Sequence, residues 1–277
     1  MPDFAPKSRV TAAYFSPTGT TRRVVTAVAG HLSDLLGGAV EELDFTLPAG
    51  RVKPMSFTAD NLVIFGLPVY AGRVPNVLLE TLGAIRGGGA RAVPVVVYGN
   101  RAYDDALREL WAILIRQNLL PIAAAAMVGE HAFSRTLEAG RPDEEDAVKL
   151  KNFTQAIAEK LEQDTPFTPF PTIDVQPLAP YYQPRDAAGN PIDIRRVLPK
   201  VSSACTNCGL CARICPMGAI NADKVETFTG ICIKCGACVK GCPVGARYYD
   251  DLGYLYHKED LERTFTRRAE PEFFLSC

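Results

Sequence analysis

The stretch Arg9-Val-Thr-Ala-Ala-Tyr-Phe15 runs without a break into Ser16-Pro-Thr-Gly-Thr-Thr21. The first part reads as a buried strand and the second as a short hydroxyl-rich turn. Val24, Val28, Leu32 and Leu35 then recur at helical spacing, so the turn opens a helix. A helix N-terminus offers free N–H groups and the positive end of the helix dipole, which together bind phosphate. Ser16, Thr18, Thr20 and Thr21 add hydroxyl donors, and Gly19 lets the backbone approach an anion. The stretch has no Walker lysine, which argues against an NTPase. An ordinary strand-to-helix turn capped by a threonine would use the same residues, so the pattern around the stretch decides between the two.

Further strands are predicted over residues 40–45, 61–66, 92–99 and 122–128, with helical patterns over 74–85, 104–118 and 142–163. Five strands alternating with helices imply an α/β fold with a doubly wound parallel sheet. With Ser16, Thr18, Gly19 and Thr21 matching its phosphate loop, the region 1–163 resembles the flavodoxins. Thr20 stands where that loop often has Asn. The resemblance implies strand order 2-1-3-4-5, with FMN at the carboxyl ends of the strands beside the switch point. It also implies that the loops after the third and fourth strands hold the flavin ring, through Pro68, Tyr70 and Gly72 and through Gly99, Asn100, Arg101 and Tyr103. Tyr70 and Tyr103 are the stacking candidates, although either would serve equally as a packing residue. A single phosphate loop favours FMN over FAD, and Arg73 and Arg101 are the cations expected near the ring.

Towards the C-terminus the chain reads Cys205-x-x-Cys208-x-x-Cys211-x-x-x-Cys215-Pro216, and the phrase returns as Cys232-x-x-Cys235-x-x-Cys238-x-x-x-Cys242-Pro243. Eight of the nine cysteines lie in these two runs. The spacing is that of the bacterial iron–sulfur run, in which the fourth cysteine ligates the other cluster. By that rule Cys205, Cys208, Cys211 and Cys242 hold one [4Fe-4S] cluster, and Cys215, Cys232, Cys235 and Cys238 hold the second. A zinc site closes with four ligands and has no use for the third cysteine or for Cys-Pro. A disulfide framework belongs to secreted chains, and nothing in the sequence points to secretion. The region 201–250 resembles the bacterial two-cluster ferredoxins, a small α+β domain. It carries five Lys or Arg against three acidic residues, whereas free ferredoxins of that family are usually acidic.

Between these regions, 164–200 is a proline-rich linker or docking arm. Its aromatic and aliphatic residues, Phe167, Phe170, Ile173, Leu178, Tyr181 and Tyr182, favour a packed arm over a free spacer. The tail, 251–277, alternates aromatics with charges and reads as a short helix or arm. Trp111 belongs to an apolar helix face, and the acids from Asp143 to Asp146 suit a helix N-terminus. His31, His131 and His257 are scattered and join no ligand cluster, and Cys277 reads as a free thiol.

The chain has 277 residues and a formal net charge of −1, which gives no sign of a nucleic-acid partner. It holds no apolar run long enough for a membrane span. A cytoplasmic location is expected, with the oligomeric state unread. As a whole the chain resembles fused flavodoxin and two-[4Fe-4S] ferredoxin proteins of anaerobic microbes. The resemblance implies electron transport with redox partner proteins. The alternative is an FMN-dependent oxidoreductase that reduces a small acceptor such as an enone, nitro compound, quinone or free flavin. A third reading makes the cysteine module a structural clip.

Overall fold

A computed structural model describes residues 9–163 and 177–275. Phe167, Phe170, Ile173 and Cys277 lie outside the described residues. The first region contains β1 (Arg9–Tyr14), α1 (Thr20–Leu36), β2 (Ala39–Asp44), β3 (Asn61–Pro68), α2 (Leu79–Gly83), β4 (Arg91–Tyr98), α3 (Ala106–Arg116), β5 (Ala123–Val128) and α4 (Glu144–Glu162). The strands run parallel in the order β2-β1-β3-β4-β5, and a two-residue strand, Leu120–Pro121, flanks β4. This is the expected 2-1-3-4-5 order.

Near-continuous apolar strands such as Leu62-Val-Ile-Phe65 require cover on both faces. On one face α1 and α4 bring Val24, Val28, Leu32, Leu150 and Phe153 against Val10, Leu62 and Val93. On the other, α2 and α3 bring Leu82, Leu110, Trp111 and Leu114 against Phe65 and Val96. Each fully buried leucine here, such as Leu32 or Leu110, contributes roughly 1.5–3 kcal/mol of transfer free energy.

Two expectations change. The helix expected over 74–85 becomes a 3-10 turn, Asn76–Leu78, followed by the five-residue α2. Its first residues are diverted because the Val74 N–H donates to the Glu109 carboxylate at 3.0 Å, and the segment ends at Gly83. The tail, in turn, is part of the sheet. After the cysteine module, α7 (Leu252–Thr264) leads to β8 (Glu272–Leu275), which pairs antiparallel with β5. The five parallel strands therefore gain a sixth on the β5 edge. The reason is that β5 is buried along its whole length, and an open edge there would leave backbone groups unpaired. Phe273 stacks on Phe153 with ring centroids 4.7 Å apart, and Phe274 packs on the opposite core.

A buried ion cluster holds this tail. Asp143 and Asp146 form a capping box at the start of α4. Asp146, fully buried, also takes a bidentate pair from Arg141 at 2.6 and 2.8 Å. Arg268 reaches back from the tail to Asp143 at 2.6 Å and to Asp146 at 3.3 Å. Removing one member of a buried pair strands the other charge. Asp146→Ala should therefore destabilise the protein by about 3–5 kcal/mol, read as a lowered denaturant midpoint, whereas Glu144→Ala, on the same helical turn without that pairing, should change it far less.

Candidate cofactor site

The hydroxyl loop bends because Gly19 adopts φ 85°, and α1 starts at Thr20. Ser16 also braces the loop: its hydroxyl accepts the Arg22 N–H at 2.9 Å, leaving its O–H free to donate, and its own N–H donates to the Thr46 hydroxyl. Among the described residues, the N–H groups of Thr18, Thr20 and Thr21 have no protein acceptor. Three free amides at the N-terminus of a 17-residue helix form a cradle that fits a phosphate. Pro17, Thr18, Thr20 and Thr21 line the adjoining cavity, whereas Ser16 and Gly19 do not.

That cavity, about 650 Å³, spans the carboxyl ends of β3, β4 and β5. Such a volume falls in the usual range for ligand sites, about 300–1,000 Å³. Pro68, Tyr70, Gly72, Gly99 and Arg101 line it as expected. A tight turn presents Tyr70, with Ala71 at φ 51° and Gly72 at φ 77°. Gly72 is obligatory there, since a Cβ would stand 2.2 Å from the Asp104 carboxylate. Gly99 is equally confined, with the His131 ring 2.3 Å from any added Cβ.

Three residues expected near the ring have side chains engaged by other parts of the chain. The Asn100 amide donates to the Phe265 and Arg267 carbonyls at 2.8 and 2.9 Å and accepts from the Ala269 N–H, so it anchors the tail. The Tyr103 hydroxyl donates to Glu272 at 2.8 Å, at the start of β8. Arg73 forms a bidentate pair with Glu109 at 2.6 and 2.7 Å and lies over the Tyr181 ring. In each case a partner distant in sequence recruits the side chain. Arg101 stays in the cavity wall, paired with Asp104 and stacked 4.2 Å over Tyr182.

The cysteine module repeats its backbone. Asn207 and Lys234 have φ 52° and 54°, Gly209 and Gly236 have 70° and 78°, and Gly218 and Gly245 have 58° and 64°. One-turn helices follow each inner glycine, α5 (Leu210–Arg213) and α6 (Ala237–Lys240). A short antiparallel pair, β6 (Lys200–Val201) with β7 (Arg247–Tyr248), closes the module. Cys215 and Cys242 accept backbone N–H bonds from Ala219 and Ala246 at 3.3 and 3.2 Å, so the pseudo-twofold extends to the sulfur contacts.

All eight thiols of the two runs are free of disulfides. Burial pushes Cys235 and Cys238 up to about 12; Cys238, Cys215 and Cys232 are the charge neighbours of Cys235. These four thiols are the second expected ligand set. Among the described residues no three His, Cys, Asp or Glu side chains converge on a point for one metal ion. A cubane places one thiolate on each iron, so a cage around a single ion is not its geometry. Thiol donors, glycine turns and N–H bonds to sulfur fit such a cluster.

The two halves meet at the cavity. Cys232 and Cys235 line its wall opposite the hydroxyl loop, and burial together with the charges of Cys235 and Cys232 raises the Tyr70 phenol. The Ala132 carbonyl, just beyond β5, comes so close to Gly236 that a Cβ would stand 2.5 Å from it. Around this contact Lys240 pairs with Glu130 and donates to the His131 carbonyl at 2.7 Å. The arm closes another side, with the Tyr182 N–H donating to the Ala71 carbonyl at 2.8 Å.

His131, His257 and Tyr182 also line the cavity, and the sequence did not single them out for it. For His131 a signal existed, its place at the carboxyl end of the fifth strand, where open α/β sheets bind ligands. For His257 and Tyr182 there was none, because α7 and the arm reach the cavity only through the fold.

Residues 204–253 match the family described as a 4Fe-4S dicluster domain. The chain joins a doubly wound parallel sheet of order β2-β1-β3-β4-β5 to this dicluster module. Among solved structures it is similar to a flavodoxin from the domain Archaea, at 16% identity over 56% of this chain and 99% of that one (TM-score 0.40). It is also similar to a Streptococcus pneumoniae TIGR4 flavodoxin, at 21% identity over 55% and 99% (TM-score 0.39). A third is rubredoxin oxygen:oxidoreductase from the anaerobe Desulfovibrio gigas, at 18% identity over 57% of this chain and 37% of that one (TM-score 0.41). Nothing among curated proteins matches the chain.

Burial works to raise the Glu130 carboxyl, but the hydrogen bond and charge of Lys240 outweigh it and hold the group below the usual carboxylate range. A depressed carboxylate stabilises the fold above its unfolded pKa, about 4.3, and that contribution is lost as pH falls through the folded value. Glu130→Gln should cost about 1–2 kcal/mol near neutral pH, discounted for partial exposure. Below about pH 4 the variant and the parent protein should converge in stability, as followed by denaturation across the pH range.

Proposed function

We propose that the chain is an electron-transfer flavo-iron–sulfur protein with one FMN and two [4Fe-4S] clusters. The observation that supports this best is that one cavity is walled both by the free amides of the hydroxyl loop and by Cys232 and Cys235. In this reading Thr18, Thr20 and Thr21 hold the phosphate, and Pro68, Tyr70, Gly72, Gly99 and Arg101 surround the ring. Cys215, Cys232, Cys235 and Cys238 hold the cluster beside the flavin, and Cys205, Cys208, Cys211 and Cys242 the outer one. FMN exchanges one or two electrons and each cluster one, so together they connect two-electron and one-electron partners.

The chain's own residues set the route. Cys235 and Cys238 are buried whereas Cys208 is exposed, so the outer cysteine run is the natural meeting point for a redox partner protein. Tyr70 lines the cavity together with Cys232 and Cys235, which are its charge neighbours. The domain limits follow: 1–163 for the flavin domain, 164–200 for the arm and 201–250 for the cluster module, with the tail, 251–277, returning to the sheet.

An anaerobic redox titration followed by visible and EPR spectra, with iron and FMN quantified on the same sample, tests the assignment. About eight irons and one FMN per chain are expected; four or fewer irons, or zinc without flavin, would overturn it. Gly236→Val adds a test of the junction, because φ +78° and the Ala132 carbonyl leave no space for a side chain. Cofactor content should survive, while electron exchange between clusters and flavin, read by stopped-flow absorbance, should slow by an order of magnitude or more.

A further inference from the structure

We propose that the inner end of the cavity seats a small, flat, uncharged conjugated carbonyl compound, a quinone or an enone, and that His257 donates a hydrogen bond and a proton to its carbonyl oxygen. This rests on the flavin and cluster assignment above and extends it, since it makes the flavin end an enzymatic site and confines protein partners to the outer cysteine run.

Enclosure is the first support. Partners would approach a flavin at the edge formed by the loops after β3 and β4, and here that edge is covered. The arm bonds to Ala71 through Tyr182, and Arg101 is stacked on the Tyr182 ring. The Cys232–Cys235 loop and α7 supply the remaining walls. Electrons that reach the cavity therefore leave through the cysteine module or on a molecule small enough to enter.

The second support is His257. It is only 6% exposed and lines the cavity, and neither ring nitrogen has a hydrogen-bond partner among the described residues. Aromatic neighbours, Phe133 and Tyr182, both at 6.1 Å between ring centroids, fix the imidazole without satisfying it. Burial holds it neutral, so it acts as an N–H donor rather than as a resident cation. The ring therefore keeps an N–H free towards the cavity, and a bound carbonyl oxygen would be its acceptor.

Charge and lining define the ligand. Each charged wall residue already has a partner: Arg101 with Asp104, Glu130 with Lys240, Asp193 with Arg195, and Lys234 on the Arg195 and Cys232 carbonyls. The rest of the inner wall is apolar or aromatic, including Ile194, Ile231, Ile233, Phe133 and Leu261. The Arg101, Glu130 and Asp193 charges are neutralised and the Lys234 ammonium is turned onto two carbonyls, so the wall favours an uncharged ligand, and a flat carbonyl compound meets an apolar surface and one donor. The reaction balances as acceptor plus two electrons plus two protons. A one-electron donor at the outer cysteine run is oxidised twice, one proton is relayed through the neutral His257 imidazole, one ring nitrogen taking a proton from solvent as the other gives its hydrogen to the carbonyl oxygen, and the second proton comes from solvent. A quinone gains two O–H bonds as its two C=O π bonds give way to an aromatic ring; an enone gains a C–H bond at Cβ and an O–H bond at the carbonyl, and the resulting enol tautomerises, its oxygen returning a proton to solvent as Cα takes one, so that two C–H bonds replace the C=C π bond.

The test uses the holoprotein, with 2-cyclohexen-1-one as turnover probe and menadione as binding probe. Menadione added to the oxidised protein should give a saturable change in the flavin visible spectrum. With a reduced ferredoxin as donor, 2-cyclohexen-1-one should be converted to cyclohexanone. His257→Leu should keep FMN and iron content, weaken the menadione spectrum and lower kcat/KM for the enone by about 10²-fold, with partial recovery in His257→Gln. Intact FMN and iron with neither a spectral change nor product would overturn the seat alone, as would unchanged turnover in His257→Leu. Loss of FMN in both variants would make His257 a flavin contact and also overturn it. A parent protein without FMN or iron would remove the assignment beneath it.

Discussion

Everything in this molecule that concerns electron flow depends on how closely two backbones pass each other, the Ala132 carbonyl after β5 and Gly236 in the second cysteine run. A carbonyl with 2.5 Å to a hypothetical Cβ excludes every residue but glycine, and φ +78° independently favours glycine there. The contact brings Cys232 and Cys235 to the cavity wall. Lys240 anchors it electrostatically, and Arg135 adds bonds to the Val239 and Lys240 carbonyls. A wider approach would put solvent between the two cofactor sites.

The tail serves the same junction from the other side. β8 is pinned to β5 by backbone pairing and by Phe273 on Phe153. The ion cluster of Arg268, Asp143, Asp146 and Arg141 fixes the segment before it. With both ends held, α7 presents His257 and Leu261 to the cavity, one helical turn apart. Glu262 on the same helix accepts bonds from Ser134 and Thr136, which ties α7 to the very loop that meets Gly236. The sheet, the cysteine module and the tail therefore interlock around a single cavity.

Charged residues near the cavity are largely committed to structure. Arg73 neutralises Glu109 under the arm, Arg101 faces Asp104, and Lys234 is capped by carbonyls. Buried charges need partners, and the fold supplies them from segments distant in the chain. The side chains left for chemistry are neutral: tyrosines, two histidines and the threonine loop. Burial drives His131 down to about 3 and lowers His257 as well, so neither adds a fixed charge to the flavin surroundings.

The sequence by itself determined the elements whose physics is local. Apolar periodicity specified the parallel strands, the resemblance of the Ser16–Thr21 stretch to a phosphate loop implied their order, that stretch specified a helix start, and the spacing of the cysteines specified the module and its internal symmetry. Glycines at Gly72, Gly99 and Gly236 were visible as residues, but the atoms that require them, on Asp104, His131 and Ala132, were not. Tertiary structure alone decided which side chains face the cavity. The side chains of Asn100, Tyr103 and Arg73 are held by tail carbonyls, Glu272 and Glu109. His257 and Tyr182 looked incidental and are brought in by α7 and the arm. The physical reason is the same in both directions: a side chain's role follows from the partner that satisfies it, and those partners lie too far along the chain for any local pattern to pair them.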